Sequence, residues 1–399
     1  MANEDLTPAL SASGTAHSSN NALGDTFTRS RVNRRSFLKG GMAGAAATVG
    51  AGIMAESLAA FGQDSSGPAV TKGDIAILRF LAAAEILESD LWIQYTELGG
   101  VQDAEESGIG GGSADYQTAL QILDGDMPQY IHDNTDDELS HQAFINAYLE
   151  SIGAEPVDLS PFANLPSSKA TGARDLGRLT NLMNLTVDTS FWTRYRSASN
   201  NPDLSKFAFA QAETIVNRTA IPRTDDDLEG PAHIAPLNVS DRIKSIAFTA
   251  GFHFAFIEQG GSSLYPSLAQ RVTNIDVLRI LLSIGPVETS HFQTWHDKAG
   301  NVLTLTDVDH VTGAKVAFKQ LAANQPESLQ GNLIMPEPCP FLSPKFPPCS
   351  IIRPTNTNGV AMGAVRALTA DGLFIGQSPE FFSAVKELAE AADAAQRGV

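Results

Sequence analysis

The sequence predicts an all-α protein, a four-helix bundle with a long insertion between its second and third helices and an irregular C-terminal extension. Three observations predict it. Apolar residues recur every three and four positions through 74–98, 128–152, 240–268 and 274–300, the period of helices that bury one face. No comparably long β-rich stretch stands out. Glutamates also interrupt the apolar faces of these helices, where a carboxylate is costly unless it is paired or bound to metal.

The first predicted bundle helix is DIAILRFLAAAEILESDLWIQYTEL, residues 74–98, which contains neither Gly nor Pro. A glycine-rich loop follows, and then a short helical piece around 115–123. Asp126 offers a cap and Pro128 a first-turn position for the second helix, which stops at Gly153. The third helix starts behind the cap Ser240, and the fourth behind Asn274. Gly285-Pro286 predicts a kink in the fourth helix one turn before its acidic motif. Between the second and third helices, the insertion at 156–239 is predicted to hold two helices, LGRLTNLMNLTVDTSFWTRYRSA and FAFAQAETIVNR, between proline-broken loops. Residues 301–399 are expected to be irregular to about 360, and SPEFFSAVKELAEAADAA forms an amphipathic C-terminal helix.

With 399 residues, 43% of them apolar, the chain can bury a large core. Its net charge of −18 argues against nucleic acid or an anionic membrane surface as main partner. The N-terminal residues read differently from the rest. Residues 1–30 have a disordered composition, and Arg34-Arg35-Ser-Phe-Leu-Lys39 then precedes a weakly apolar Gly/Ala run ending in Ser57-Leu58-Ala59. An arginine pair before such a run marks a signal peptide of the twin-arginine kind with a small-x-small cleavage site. Residues 1–60 are therefore expected to be a disordered region plus signal, and the mature protein to be periplasmic or extracellular, exported by the twin-arginine machinery. No later segment is long and apolar enough to span a bilayer. The two cysteines, Cys339 and Cys349, are expected to close a disulfide in the oxidising compartment.

The chemistry lies in two Glu-x-x-His motifs, Glu138-Leu-Ser-His141 and Glu288-Thr-Ser-His291. Residues three apart share a helix face, so each motif presents a carboxylate and an imidazole together. Eight histidines would supply about half of one such motif by chance. Two further glutamates sit among apolar residues, Glu85 in AAAEIL and Glu258 in FAFIEQ, and each is followed seven positions later by an aromatic residue, Trp92 and Tyr265. Helical rise brings Glu85 and Glu138 to similar heights in one antiparallel hairpin, and Glu258 and Glu288 in another. Four carboxylates and two imidazoles form a hard, oxygen-rich donor set suited to iron or manganese.

These residues resemble the ferritin-like domain family, in particular an exported bacterial branch related to plant desiccation-associated proteins. DIAILRFLAAAEILESDLW, DELSHQAFINAYLESIGAEPV, FIEQGGSSLY and VETSHFQTW carry the resemblance, over 74–155 and 240–298. It implies a ferritin-like bundle over 72–300 with Glu85, Glu138, His141, Glu258, Glu288 and His291 as metal ligands. It also implies two iron ions, with manganese as the alternative, and iron–oxygen or peroxide chemistry in stress protection. If catalytic, the protein would be an oxidoreductase of ferroxidase or manganese-catalase type. The competing expectation is a non-catalytic envelope or desiccation scaffold with a vestigial site. A homo-oligomer is compatible with either, though nothing points to a closed storage shell.

A different helix assignment would place Asp188, Tyr195 and Glu213 in the third and fourth bundle positions, but Val216 stands where a histidine is needed. Other polar residues receive structural readings. Glu88 reads as a solvated or helix-paired acid, and His253 and His296 as packing or surface histidines. Trp92 and Tyr265 read as core aromatics. Asp133, Asp136, Asp137 and Asp225 to Asp227 read as solvated loop charges.

Overall fold

The structure, a computed structural model, describes residues 68–103, 111–189, 215–320, 336–337, 343, 345–350 and 358–398. Arg34 and Arg35 with the rest of the signal segment, Cys339, Tyr195 and Glu213 lie outside the described residues.

Seven α-helices are described: α1 (Lys72–Gly99), α2 (Ala114–Leu120), α3 (Met127–Ser151), α4 (Asp241–Ala269), α5 (Ile275–Ala299), α6 (Val360–Asp371) and α7 (Pro379–Ala394). Their ends are set by local chemistry. Thr71 and Asp74 form a reciprocal capping box at α1. Ser240 accepts from Ile243 N at α4, and Asn274 accepts from Asp276 N and Val277 N at α5. Gly153, at φ 73°, follows the end of α3 in the left-handed conformation that glycine adopts without strain. Asp126 occupies the N-cap of α3 but makes no side-chain cap bond.

Side-chain contacts define the bundle. Thr135 reaches Trp92 O and His141 lies beside Glu85, so α1 and α3 run antiparallel. Trp92 meets Glu258 while Tyr265 meets Glu85, which sets α4 antiparallel to α1. Asn134 meets Trp295 and Asp137 meets His291, setting α5 antiparallel to α3. The described chain is thus mostly helical, the all-α bundle expected. Gly285-Pro286 does not end α5, which continues from Ile275 to Ala299 with Pro286 inside it. A Cβ at residue 285 would lie 2.8 Å from Tyr265 Cβ, so this glycine lets α4 and α5 approach closely.

The insertion departs from expectation. Its described residues hold no α-helix. Leu185–Val187 (β1) pairs antiparallel with Ile215–Arg218 (β2), where two helices were anticipated. The β-branched Thr186, Val187, Ile215 and Val216 favour that pairing, and tertiary anchors override helix propensity. Asp90 of α1 accepts from Leu179 N, Thr180 N and the Thr180 hydroxyl, and buried Arg178 pairs with buried Glu97.

The extension is likewise more ordered than expected. It contains the hairpin Leu305–Val308 (β3) with Lys315–Phe318 (β4), the short pair Pro336–Glu337 (β5) with Cys349–Ser350 (β6), and helix α6, which the sequence reading missed. Helix α7 packs on α1 and buries its own Phe381, Val385, Ala389 and Ala392. Asp393 then accepts from Ala361 N and Met362 N at the start of α6. No helix among the described residues is long and apolar enough to cross a membrane.

Candidate metal centre

Glu85, Glu138, Glu258 and Glu288 are buried to 1% exposure or less and meet at the middle of the bundle with His141 and His291. They form two overlapping groups. Glu85, Glu138, His141 and Glu288 offer donor atoms within 4.8 Å of one another, and so do Glu138, Glu258, Glu288 and His291. Glu138 and Glu288 belong to both groups. All six residues singled out by the sequence are therefore brought together, on α1, α3, α4 and α5. Asp188, from the rival assignment, lies instead in the insertion just after β1.

The spacing inside each group is compatible with ligands around one cation, and the contact between His141 Nδ1 and Glu138 Oε2 is also a hydrogen bond. His141 Nδ1 lies 3.4 Å from Glu85 Oε2, 3.0 Å from Glu138 Oε2 and 3.2 Å from Glu288 Oε1. His291 Nδ1 lies 3.1 Å from Glu138 Oε1 and 3.3 Å from Glu258 Oε2. Donors about 2.0–2.2 Å from one cation and at right angles to each other stand about 3 Å apart. Moreover, Glu85 Oε2, Glu258 Oε2, both oxygens of Glu288 and His291 Nδ1 have no hydrogen-bond partner among the described residues. Five shielded polar atoms left unpaired around one point would be strongly destabilising unless a cation satisfies them. The residues fit such a cation.

The other side of each group is supported. Trp92 Nε1 donates to Glu258 Oε1 at 3.1 Å, and the Tyr265 hydroxyl donates to Glu85 Oε1. Asn134 Nδ2 donates to Glu138 Oε1 at 2.8 Å and Glu258 Oε1 at 3.1 Å, while its Oδ1 accepts from Trp295 Nε1 at 2.7 Å. Asp137 Oδ2 lies 3.1 Å from His291 Nε2, turning the opposite ring nitrogen toward the cluster. Gly261 contributes by having no side chain, because a Cβ there would strike the Glu288 carboxylate.

Electrostatics agree. Burial first, then the neighbouring carboxylates, pushes Glu288 well above its ordinary value. Glu138 is pushed up to about 7, burial outweighing its contacts with both histidines. Burial alone would lower His141 and His291, but the surrounding acids outweigh it and raise both far above the usual imidazole range. Carboxylates this crowded hold protons, or cations in their place.

Several expectations need correction. Asp137 is not a solvated loop charge; it lies on α3 against His291. Asp227 is buried and accepts from Arg223, which also binds Asp309. Trp92 and Tyr265 are core aromatics, as read, but they also donate to site glutamates. Asn134 was missed; its place one turn before Glu138 was the available signal. His253 and His296 are packing histidines rather than surface ones, both 1% exposed or less. His253 Nδ1 lies 2.7 Å from the Tyr95 hydroxyl and its Nε2 lies 2.9 Å from Asp371. Glu88 is not a fully solvated acid: it is half-buried, and its Oε1 is shielded from solvent with no hydrogen-bond partner among the described residues.

Fold and site together define a helical bundle with a buried carboxylate–histidine cluster able to hold metal. The ferritin-like domain matches residues 73–300, more than half of the chain, and the chain belongs to that family. No curated protein and no solved structure matches it.

Proposed function

We propose that this chain is an exported di-metal protein with iron as its resident metal, and that Glu138 and Glu288, which belong to both donor groups, would help to hold both ions. Glu85 and His141 would complete one metal's protein ligands, and Glu258 and His291 the other's. The observation that carries this reading is the convergence of unpaired, buried donor atoms in two groups sharing two carboxylates. Four carboxylates balance two divalent cations in charge, which a single ion would not do. A di-iron centre of this kind supplies redox chemistry toward oxygen or peroxide. The chain's own residues hold and orient the ligands. Trp92 and Tyr265 each fix one oxygen of a glutamate and leave the other facing the cluster, and Asn134 holds Oε1 of both Glu138 and Glu258. The arginine pair Arg34-Arg35 before a weakly apolar run supports export in the folded state, where iron could be loaded before transport.

Metal analysis of protein purified from its native compartment tests this reading. About two iron ions per chain are expected, falling below one in Glu138→Ala and Glu288→Ala. Less than one metal per wild-type chain, unchanged in these variants, would sink the proposal in favour of a scaffold. Two manganese ions would keep the site and change the chemistry. Cell fractionation with Arg34→Lys/Arg35→Lys tests export, and undiminished export of that variant would reject the twin-arginine route.

A further inference from the structure

A cavity of about 730 Å³ adjoins the metal cluster, between α1, α4 and α6. Its size is that of a small-molecule pocket, far beyond what an ordered water requires. Phe80, Leu87, Leu91, Leu264, Leu368 and Phe374 contribute apolar walls. Small residues keep the space open. Ala84 lies on the α1 side and Ala364 on the α6 side, and a Cβ built on Gly260 would meet nothing within 4 Å.

The polar lining is sparse and specific. Asp371 is 1% exposed, and its Oδ1 has no partner among the described residues, as is true of Glu88 Oε1. Glu85 and Tyr265 also line the cavity, which makes its floor continuous with the cluster. Among the described residues, no Lys, Arg or His lines it. An anionic head would therefore be placed among the carboxylates of Glu85, Glu88, Asp188 and Asp371, with no cationic side chain among the described lining residues to receive it. A hydroxyl, by contrast, can donate to a carboxylate or accept from a carboxylic acid, and so satisfies these oxygens in either protonation state.

We infer that this cavity binds a lipophilic molecule with an aliphatic body and an uncharged hydroxyl head, seated with the head at Glu88. This goes beyond the metal-binding reading and does not require the metal, although a bound head would lie next to it.

Calorimetric titration of the full chain with 1-decanol, decanoate and decylamine, in metal-free and metal-loaded protein, tests the inference. Saturable one-to-one binding of 1-decanol is expected in both forms, at least tenfold tighter than decanoate or decylamine. Ala84→Trp and Ala364→Trp, which fill the cavity from different helices, should each weaken 1-decanol at least tenfold with circular dichroism and metal content unchanged. Glu88→Leu should erase the preference for the alcohol over decanoate. The inference is overturned if neither form binds 1-decanol saturably, if decanoate or decylamine binds as tightly, or if folded tryptophan variants bind like wild type. Metal content of the same samples reports separately on the centre.

Discussion

Trp92 and Glu258 lie on facing helices, and the indole N–H of one donates to the carboxylate of the other at 3.1 Å. Tyr265 and Glu85 make the reciprocal contact. The acid-then-aromatic spacing that α1 and α4 share is therefore an exchange, in which each helix's aromatic serves the other helix's acid. Ligands steadied in this way typically lose 10–100-fold in metal affinity when the supporting donor is removed. Trp92→Phe should weaken by about that factor the binding of the cation that Glu258 would hold, and Tyr265→Phe that of the cation Glu85 would hold. Competition titration with a metal-sensitive dye would show two unequal binding steps in each variant. Equal weakening of both steps would contradict the exchange.

The two halves are not identical. Asp137 supports His291, whereas the matching position before Glu288 is Val287, which offers His141 no such carboxylate. Asp137→Asn should lower affinity about 10-fold at one step and leave the other unchanged. The converse change, Val287→Asp, gives no reciprocal weakening at the His291 step. Titration with Co(II), followed by its absorption bands, distinguishes the steps.

Gly260 and Gly261 are neighbours with opposite expectations. Alanine at 260 enters open space and should stabilise α4 by about 1 kcal/mol through helix propensity. Alanine at 261 meets the Glu288 carboxylate and must turn it aside. Thermal unfolding and metal content should therefore separate. Gly260→Ala retains metal and gains stability, whereas Gly261→Ala loses bound metal whatever its melting temperature does.

In metal-free protein, stability should fall as pH rises. Glu138 has a folded value of about 7, above the ordinary carboxylate value of 4.5, and the two histidines are also raised. The folded chain thus binds more protons than the unfolded chain, which favours folding below about pH 4.5 and loses that advantage as pH climbs through 7. Cations displace those protons, so metal affinity should rise over the same window. The difference in Tm between metal-loaded and metal-free protein should widen from pH 5 to pH 8. Glu288→Gln, which removes one of the crowded charges, should raise the metal-free Tm at pH 8 and narrow that difference.

The bundle and its six convergent residues were legible because helical period and hairpin height are local arithmetic. Glu85, Glu138, Glu258 and Glu288 could be levelled by counting from the turns. What could not be counted was missed. Thr180 and Arg178 hold their segment through Asp90 and Glu97, residues more than eighty positions away, and no helical pattern between 177 and 189 reveals those anchors. Asp137 and Glu88 differ from solvated acids only in what other helices place beside them. Helix α6 escaped notice because it is only 12 residues long and follows a proline-rich stretch, and the groove that receives it is built from α4 and α7.

Helix α7 covers α1, although 279 residues separate Pro379 from Gly100, and Arg271 after α4 is held by the main chain of Asp393 and Ala395. That side of α1, the first bundle helix made by the ribosome, therefore waits for a helix outside the bundle. Domains ordinarily fold as they emerge, N-terminal parts first, but here the side of α1 that α7 packs against stays uncovered until Pro379–Ala394 has been made. Closure of that side is tied to a segment far downstream, and a product cut between residues 300 and 379 would leave it bare.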